Sequence, residues 1–578
     1  MFKTDVLVIG SEGAGSRAAV AASEQGVEVI MVTKGLFTKS GATITAGADI
    51  DVDSKSCCDL FGLKGDPQDS PEIFFEDIVI EGKYINDQRL VEVHVRDAPI
   101  RVKELADRGM KITGFIHAPG HRYPRGIYTS GKEQMRAMRG WVRERDTIQV
   151  VENTMMTDLL TCGGRVVGAV GVDLYTGEFT TIVAKAVILA TGGGMMVFPV
   201  STAPQELTGD GQVMAWRAGA ELVDMEMTQF LPGCLIEPLA WRGLGISFNL
   251  CCMGGGVEAY LLNRHGYRFM KDWDPERMER STRDILSIAM MNEVIEGRGS
   301  PSGGVYMSLA HLPHNVIENY PRWFGSDNLT EDWVFKGFDL KELVEHIKRG
   351  YAVEVGPASH FFMGGVRVNE RCEASLSGLY AAGEVAGGLH GGNRLSGNAC
   401  TQIFVQGAIS GRAAAEYARG VEFSKIDEEQ VNTLQKKLLK PLERRDGVKT
   451  FEFKKQIQKL AWENVGVLRS GSYLGEALKE IQRMKEEDLP RVWSGAKERV
   501  YNREWVESIQ VENLLTLLEA IARSALMREE SRGAHYRKDF PKTDNRNWLK
   551  NIIIKNVNGK IELTTRPVVV TQFELPKE

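Results

Sequence analysis

The stretch DVLVIGSEGAGSRAAVAASEQGVEVIMVTK, residues 5–34, decides the fold of this chain. An apolar strand pattern runs into a glycine-rich turn, a helix with small residues on one face follows, and a second apolar strand pattern ends the stretch. This order predicts a βαβ unit of the dinucleotide-binding kind. Its glycines let the backbone approach a pyrophosphate, and the N-terminus of its helix offers unpaired N–H groups.

The glycine turn departs from the usual G-x-G-x-x-G fingerprint at one position. Gly10 and Gly15 occupy the first and last positions, while Glu12 replaces the middle glycine and Gly13 follows it. Taken alone, such a turn is also compatible with a simple strand-to-helix connection. The prediction therefore depends on further glycine-rich segments.

Two such segments lie far downstream. AVILATGGG (186–194) is followed by LTGDGQVMAWRAGA (207–220), and GLYAAGEVAGGLHGGNRLSGNA (378–399) leads into a helix predicted from about Thr401 to Ala418. Three glycine-rich turns between strands and helices predict a doubly wound α/β domain that is interrupted by an insertion. One cofactor can contact all three turns.

The 578-residue chain is too long for a single core, and we predict four regions. Residues 1–230 and 352–422 form the cofactor-binding domain, and residues 231–351 form an inserted capping or substrate domain. Residues 423–540 carry apolar residues at spacings of three and four, which predicts a helical bundle. Residues 541–578 form a strand-rich tail with a hairpin turn at Asn558-Gly559.

Composition argues against several classes of function. The net charge is −6 and no block of Lys and Arg occurs, so neither nucleic acid nor an anionic membrane is an expected partner. No secretory segment precedes the first strand, and no stretch approaches the roughly 20 apolar residues of a membrane helix. The eight cysteines include no C-x-x-C pair, which argues against a metal site or an iron–sulfur cluster in this chain. A reducing, cytoplasmic location is expected, with membrane association only through partner subunits.

Four groups of motifs carry a resemblance to a known family: ATGG with TGDG, SHFFMGG, AAGEV with LHGGNRLSGNA, and SALMREESRGAHYRKDFPKTDNRNWL near the C-terminus. Through them the chain resembles, along nearly its whole length, the flavoproteins of the fumarate reductase, succinate dehydrogenase and L-aspartate oxidase family. The resemblance implies an FAD-dependent oxidoreductase that acts on CH–CH groups.

The resemblance also implies which residues contact FAD. Glu384 is expected to hold a ribityl or ribose hydroxyl, although an acidic residue beside a turn is otherwise usually a solvated cap. The expected cofactor residues are Gly10, Gly13, Ala14, Gly15, Thr33, Lys34, Ser40, Gly41, Ala42, Thr43, Gly47, Ala190, Thr191, Gly192, Asp210, Glu384, Arg394 and Ser396.

The mode of flavin attachment follows from one of these positions. Many succinate-oxidising relatives bond the flavin covalently to a histidine in an S-H-T segment, and Gly41 stands where that histidine would be. Because glycine offers no nucleophile, the resemblance implies non-covalent FAD. It also implies a flavin reduction potential lower than that of the covalently linked relatives, which favours reduction of a double bond over oxidation of succinate.

Reduction of an activated C=C bond requires a hydride, a proton donor and cations that polarise a carboxylate. By resemblance, Arg283 is the proton donor, and His360 and Arg394 bind one substrate carboxylate. The alternative for Arg283 is an exposed helix arginine paired with Asp284. Three nearby candidates are expected to be structural: His390, His121 and Arg125.

The other end of the substrate pocket departs from the family. Fumarate-reducing relatives have Q-F-H-P-T, whereas residues 229–233 here read QFLPG, so Leu231 replaces a carboxylate-binding histidine. Cys251-Cys252 stand about where the resemblance implies a Thr-Glu pair. A second carboxylate would lack groups that offset its desolvation. An enoate with one carboxylate and an apolar or bulky other end fits better. Fumarate is still an alternative substrate if another group, such as Arg242, supplies the missing contact with the second carboxylate.

Three hypotheses follow. In the first, FAD receives electrons from an iron–sulfur partner subunit and passes hydride to an activated alkene. In the second, the enzyme performs other family chemistry, such as amino-acid oxidation or reduction of a sulfur compound. In the third, the chain is an electron-transfer subunit whose pocket has decayed. The retention of Arg283, His360 and Arg394 argues against the third.

Overall fold

The computed structural model describes residues 1–245, 259–318 and 340–576.

The predicted βαβ unit lies at the centre of a seven-stranded sheet. The strands of this sheet, in spatial order, are β6 (Ile148–Val151), β2 (Val29–Val32), β1 (Phe2–Ile9), β9 (Phe179–Leu189), β8 (Arg165–Asp173) and β7 (Thr154–Cys162), with β16 (Leu379–Ala381) also paired to β9. The pairs β6–β2, β2–β1, β1–β9 and β9–β16 are parallel. The second half of β1 (Val6–Ile9) and all of β2 are buried apolar runs, as expected for parallel strands covered on both faces.

Seventeen α-helices lie in the part of the chain that the structure describes. They are α1 (Gly13–Ser23), α2 (Ala42–Thr45), α3 (Ser54–Phe61), α4 (Pro71–Glu81), α5 (Gln88–Asp107), α6 (Gly131–Arg143), α7 (Asp210–Ala218), α8 (Met270–Trp273), α9 (Arg283–Ile295), α10 (His314–Glu318), α11 (Leu340–Lys348), α12 (Asn398–Arg419), α13 (Glu428–Glu443), α14 (Thr450–Val465), α15 (Gly471–Arg483), α16 (Arg503–Met527) and α17 (Asn545–Trp548). The helix predicted after the third glycine-rich segment is confirmed as α12, which is slightly longer than predicted. α13 to α16 confirm the helical character of residues 423–540.

The described residues also form three smaller sheets. The first, in spatial order, contains β17 (Ala386–Gly387), β15 (Gly365–Arg367), β10 (Leu222–Val223), β22 (Lys550–Val557) and β23 (Lys560–Pro567). The second contains β11 (Thr228–Leu235), β14 (Val353–Phe362), β13 (Val305–Ser308) and β12 (Tyr260–Leu262). The third contains β3 (Gly47–Asp51), β5 (Gly126–Ser130) and β4 (Gly114–Ile116). Two short pairs complete the set: β18 (Val448–Lys449) with β20 (Val492–Trp493), and β19 (Leu468–Arg469) with β21 (Tyr536–Arg537).

The C-terminal tail is joined to the cofactor-binding domain. β22 and β23 form the predicted hairpin with its turn at Asn558-Gly559, and β22 pairs with β10. The tail therefore extends a sheet whose other strands lie far earlier in the chain. The predicted domain boundary at residue 231 falls within β11, and the division into four regions stays a prediction.

A buried ionic cluster fixes the C-terminal segment to the rest of the molecule. Arg528, which follows α16, donates to Glu226 Oε1 at 2.7 Å and to Glu530 Oε1 at 3.1 Å. It also donates to the backbone carbonyls of Trp548 and Lys550 at 3.1 and 3.0 Å. Arg528 and both carboxylate residues are fully buried. Each charge therefore depends on the others to offset its desolvation.

No helix in the described ranges is long and apolar enough to cross a membrane. Within those same ranges, no group of three or more His, Cys, Asp or Glu side chains is arranged to hold a metal ion. Cys251 and Cys252 lie outside the described residues.

We expect Arg528→Met to lower the free energy of unfolding by about 3–5 kcal/mol, because it leaves Glu226 buried without its cation, while Glu530 keeps its ion pair with Arg532 at 2.7 Å. Arg523→Met, in the last two turns of α16, is the matched control. Its partly exposed ion pair with Glu519, at 2.7 Å, should contribute less than about 1 kcal/mol. Urea denaturation of both variants measures the difference, and equal shifts of the midpoint would show that the buried cluster contributes no more than a surface pair.

Candidate functional site

The first and second glycine-rich segments meet at the carboxyl ends of β1 and β9. Gly10 has φ 110°, and a Cβ at this position would overlap the carbonyl oxygen of Ala190. Only glycine allows both this conformation and this approach. The turn before α1 therefore lies directly beside Ala190 and Thr191, as the doubly wound prediction requires.

Glu12, the residue that breaks the glycine fingerprint, connects two cofactor segments. Its carboxylate accepts hydrogen bonds from the backbone N–H groups of Ala42 at 2.8 Å and Thr43 at 2.6 Å. Thr43 Oγ1 in turn accepts from Gly13 N at 3.3 Å. Burial raises the pKa of Glu12, although the hydrogen bonds from Thr43 and Ala42 oppose that shift. Glu12 thus holds α2 against the start of α1, a role that the sequence did not reveal.

This contact leaves no space for a side chain at residue 41. Gly41 has φ 92°, and a Cβ there would overlap Glu12 Oε1. Neither the backbone nor the space around it accommodates a histidine while Glu12 is in this position. The replacement at residue 41 and the replacement at residue 12 are therefore physically coupled.

Lys34 and Asp210 form an ion pair between the first and second segments. Lys34 Nζ lies 2.7 Å from Asp210 Oδ2, and Asp210 also accepts from Thr208 Oγ1 at 3.0 Å and from Asn513 Nδ2 at 2.8 Å. Burial alone would raise the pKa of Asp210, but the Lys34 charge and these hydrogen bonds outweigh it, so the pKa of Asp210 lies below its ordinary value. Asn513 belongs to α16, so the helical region contributes to this site. That contribution was not predicted.

Glu384 ties the second and third segments together. Its carboxylate accepts from Gly193 N at 3.2 Å and from Phe362 N at 2.9 Å. Burial raises the pKa of Glu384 to about 7, although the Phe362 N–H and the Arg394 charge lower it. Glu384 therefore acts first as a bridge between backbone segments, and each carboxylate oxygen keeps a lone pair for a further donor.

The assembled residues fit an FAD. The N-cap residue of α1, Glu12, makes no side-chain capping bond to the helix, so N–H groups beyond that of Gly13 suit a pyrophosphate. Thr191 Oγ1 is buried without a hydrogen bond among the described residues. The predicted cofactor residues fall into five groups around this region: Gly10, Gly13, Ala14 and Gly15 at α1; Thr33 and Lys34 after β2; Ser40, Gly41, Ala42, Thr43 and Gly47 from α2 to β3; Ala190, Thr191, Gly192 and Asp210 from β9 to α7; and Glu384, Arg394 and Ser396 before α12.

Two arginines predicted for the substrate pocket meet at one oxygen atom. Arg283 Nη1 and Arg394 Nε each donate to Gln229 Oε1 at 3.3 Å. The Gln229 amide nitrogen donates to Asn393 Oδ1 at 2.8 Å and to Arg394 O at 2.9 Å, which fixes the orientation of the amide. Gln229 lies on β11 in the QFLPG motif, but nothing in the motif identified it as the shared acceptor.

Arg283 is buried at the start of α9, with 8% of its surface exposed, so the alternative of an exposed helix arginine is wrong. Its Nη2 donates to Ser396 Oγ at 3.0 Å. Asp284 instead accepts hydrogen bonds from Thr282 Oγ1 and Asn393 Nδ2. The side chain of Arg283 therefore points toward the third glycine-rich segment.

The guanidinium of Arg394 lies over the ring of Phe361, 4.6 Å from its centroid, and burial lowers the pKa of Arg394. It forms no ion pair with a carboxylate of the described residues. The neighbouring His360 accepts from or donates to Thr202 Oγ1 through Nδ1 at 2.8 Å. Burial and the charges of Arg394 and Arg283 hold the pKa of His360 well below its ordinary value, so the ring is neutral at physiological pH.

Other candidates occupy different surroundings. His390 Nε2 lies 2.9 Å from Gln402 Oε1 and packs edge-on against Phe361, as expected for a structural residue. Leu231 belongs to an apolar cluster. Arg242 donates to Ile236 O at 3.1 Å and lies near Glu237. Arg242 therefore makes local contacts in this structure.

Comparison with known proteins agrees with the geometry. The family model for the FAD binding domain matches residues 5–400, and the model for the fumarate reductase flavoprotein C-terminal domain matches residues 454–578. Over 578 aligned residues the chain is 36% identical to a subunit of the fumarate reductase (CoM/CoB) of Methanothermobacter marburgensis, with 97% of this chain and 98% of the relative covered.

The chain belongs to the fumarate reductase and succinate dehydrogenase flavoprotein family. It is an FAD-dependent oxidoreductase. Among solved structures, Mycobacterium smegmatis Sdh1 in complex with UQ1 is 32% identical and has a TM-score of 0.86, with 99% of this chain and 95% of that chain covered. A point variant of the Escherichia coli quinol fumarate reductase FrdA is 26% identical and has the same TM-score, with 100% and 98% covered. The predicted family, fold class and cofactor are thereby confirmed.

Gly41→Ala tests the coupling between residues 12 and 41. We expect it to weaken FAD binding at least about tenfold, because the new methyl group displaces Glu12 and with it α2. Gly62→Ala is the matched control, because Gly62 also has positive φ but faces open space. It should cost only the backbone strain of about 1–2 kcal/mol. Flavin fluorescence titration of the apoprotein measures the affinities, and equal values for the two variants would contradict this account.

Proposed function

We propose that this protein reduces the activated C=C bond of an enoate. The shared contact of Arg283 and Arg394 with Gln229 Oε1 carries the proposal, because it brings two buried guanidinium groups beside a neutral histidine. Buried cations in one pocket favour an anionic ligand. The pocket is also built beside the residues that suit FAD.

In this proposal each side chain has a separate role. Arg394 and His360 bind the substrate carboxylate, which orients the alkene and polarises it. When bound, reduced FAD supplies the hydride. Arg283 donates a proton from its guanidinium to the other alkene carbon, and its neighbours Gln229 and Ser396 hold it in position by the hydrogen bonds at 3.3 and 3.0 Å.

The substrate carries one carboxylate and an apolar other end. Leu231 is buried among apolar side chains, and Arg242 bonds to a backbone carbonyl near Glu237. A second carboxylate near Leu231 would lose its hydration without gaining a charged partner from either residue. This favours a monocarboxylic enoate over fumarate.

Electrons reach the FAD from an iron–sulfur partner subunit. The lack of C-x-x-C pairs in the sequence supports this part of the proposal, as do the names of several relatives, which describe them as subunits. Membrane association, where it occurs, is through such partners. FAD is held non-covalently, since Gly41 has no nucleophile; recovery of all the FAD in the supernatant after acid precipitation tests this.

Anaerobic reoxidation of the dithionite-reduced flavoprotein tests the substrate proposal. We expect crotonate or cinnamate to reoxidise the flavin faster than fumarate, because only one carboxylate clamp is retained. Arg394→Met should weaken binding of that monocarboxylate about 30-fold or more. The matched control is Arg412→Met, on α12 but partly exposed and 4.0 Å from Asp97. Reoxidation by oxygen but by no alkene would instead favour amino-acid oxidation. Failure of every alkene and of oxygen to reoxidise the flavin would favour a pure electron-transfer role.

Leu231→His tests why fumarate is disfavoured. We expect the variant to raise the fumarate rate relative to the monocarboxylate rate by about tenfold or more, because an imidazole can hydrogen-bond the second carboxylate. Leu231→Met keeps the side chain apolar and serves as the control. An unchanged ratio of rates in Leu231→His would mean that residue 231 does not set the substrate preference.

A further inference from the structure

The loop between α4 and α5, residues 82–87, holds the segment that contains Arg394. We call this segment, residues 388–394, the clamp segment. Hydrogen bonds join the loop to the clamp segment: Gly392 N to Gly82 O at 2.7 Å, Asn86 Nδ2 to Leu389 O at 2.7 Å, and Asp87 N to Gly388 O at 2.8 Å. The position of the clamp segment therefore depends on the conformation of the loop.

A path of side chains continues from the end of α4 to Arg394. Asn393 Nδ2 donates to Glu81 Oε1 at 2.5 Å, and Asn393 Oδ1 accepts from the Gln229 amide nitrogen at 2.8 Å. Gln229 Oε1 in turn accepts from Arg394 Nε at 3.3 Å. The residues just before the loop are thus connected to the clamp segment through side chains as well as through backbone.

The loop has an unfavourable backbone conformation at two successive residues. Lys83 has φ 56° and Tyr84 has φ 64°, in the left-handed region that residues other than glycine rarely adopt. Such a conformation persists only where surrounding contacts enforce it. At Lys83, the carbonyl oxygen accepts from Arg532 Nη1 at 2.9 Å, and Nζ lies 3.2 Å from Glu81 Oε2. These contacts hold the first of the two strained residues.

The residues that follow β23 hold the end of the loop. We call residues 568–575 the tail segment. Gln88, the first residue of α5, is fully buried. It bonds to the tail segment through its backbone and its side-chain amide: Gln88 N to Val569 O at 3.1 Å, Gln88 Nε2 to Phe573 O at 2.7 Å, and the backbone N–H groups of Thr571, Gln572 and Phe573 to Gln88 Oε1 at 2.9, 3.1 and 3.1 Å. The Tyr84 ring stacks on that of Phe573, with centroids 6.2 Å apart.

We propose that Gln88 is a positioning residue for the substrate carboxylate: it ties the tail segment to the loop, and the loop holds the clamp segment in place. This inference rests on the proposed function, in which Arg394 binds that carboxylate. Gly392 O also accepts from Ala534 N at 2.9 Å, so loss of the Gln88 contacts displaces the clamp segment without releasing it. The consequence is weaker carboxylate binding in a protein that still folds and holds FAD.

Hydrogen exchange of the FAD-loaded protein tests the link between Gln88 and the clamp segment. Gln88→Leu removes the side-chain bonds to the tail segment and keeps the bulk of the residue. We expect amide exchange in residues 388–394 to become about tenfold faster or more, because opening of the loop releases the Gly392 N–H. Phe573→Ala removes the ring that stacks on Tyr84 and should act in the same direction, so it serves as the second variant should Gln88→Leu fail to fold.

The matched control is Gln572→Ala, since Gln572 lies in the same tail segment but is exposed and donates to Glu92 at 2.9 Å. It should leave exchange in residues 388–394 unchanged. Unchanged exchange of these residues in Gln88→Leu and Phe573→Ala, or equally faster exchange in β1, would overturn the proposal. This readout needs no substrate. If no enoate reacts, the proposed function fails, while the exchange result still decides whether Gln88 positions the clamp segment.

Steady-state kinetics test the effect on the substrate. With the enoate that reoxidises the flavin fastest and a reduced viologen as electron donor, Gln88→Leu should raise KM about tenfold or more, because a displacement of about 1 Å can cause such a loss. The value of kcat should change less than about threefold, because Arg283 is held by α9 and Ser396 Oγ. A fall in kcat at unchanged KM, or an altered flavin absorbance spectrum, would overturn the proposal.

Relief of the strain in the loop separates this role from simple packing. Glycine adopts a φ of 64° without strain, so Tyr84→Gly makes the loop less dependent on the tail segment. In the double variant Gln88→Leu/Tyr84→Gly, KM should therefore recover by about threefold or more relative to Gln88→Leu alone. A further rise in KM would show that the tail segment only packs against the loop, and would overturn the proposal.

Discussion

The close packing of α1 against α12 is the constraint on which the site depends. A Cβ at Gly407 would lie 2.6 Å from the carbonyl oxygen of Ala14, and one at Gly411 would overlap that of Ala18. Any larger side chain would separate the two helices, because both contacts are with backbone atoms. The residues just before α12 include Arg394 and would move with it, so the distance between the cofactor turn and the substrate clamp is set by these two glycines.

Charge placement is the second organising feature. Burial of Arg283, Arg394 and Glu384 costs free energy that apolar packing does not recover, which makes their pocket a candidate functional site. The cations face the substrate side, and the neutral ring of His360 adds a hydrogen-bonding group without further positive charge. In the proposed function, the substrate carboxylate offsets the positive charge of the two arginines. The ionic cluster of Arg528, in contrast, contains its own counter-charges and joins the C-terminal segment to β10 and β11.

The departures from the family motifs have different physical meanings. Glu12 and Gly41 form one unit, in which a carboxylate occupies the space that a side chain at residue 41 would need. Leu231 places an apolar side chain, packed in an apolar cluster, where the resemblance would put a histidine. In the proposed function, the first concerns how the flavin is held, and the second concerns which substrate is accepted.

The sequence by itself determined the doubly wound fold, the family, the cofactor, the C-terminal helices and the hairpin at Asn558-Gly559. These depend on local patterns: glycines at turns, apolar periodicity and long motifs. It also identified His360 and Arg394 as candidates. Tertiary structure alone decided that Gln229 accepts hydrogen bonds from both arginines and that Glu12 holds α2. Such contacts join segments hundreds of residues apart or on different elements, and side-chain direction across them is set by packing, which no local pattern encodes.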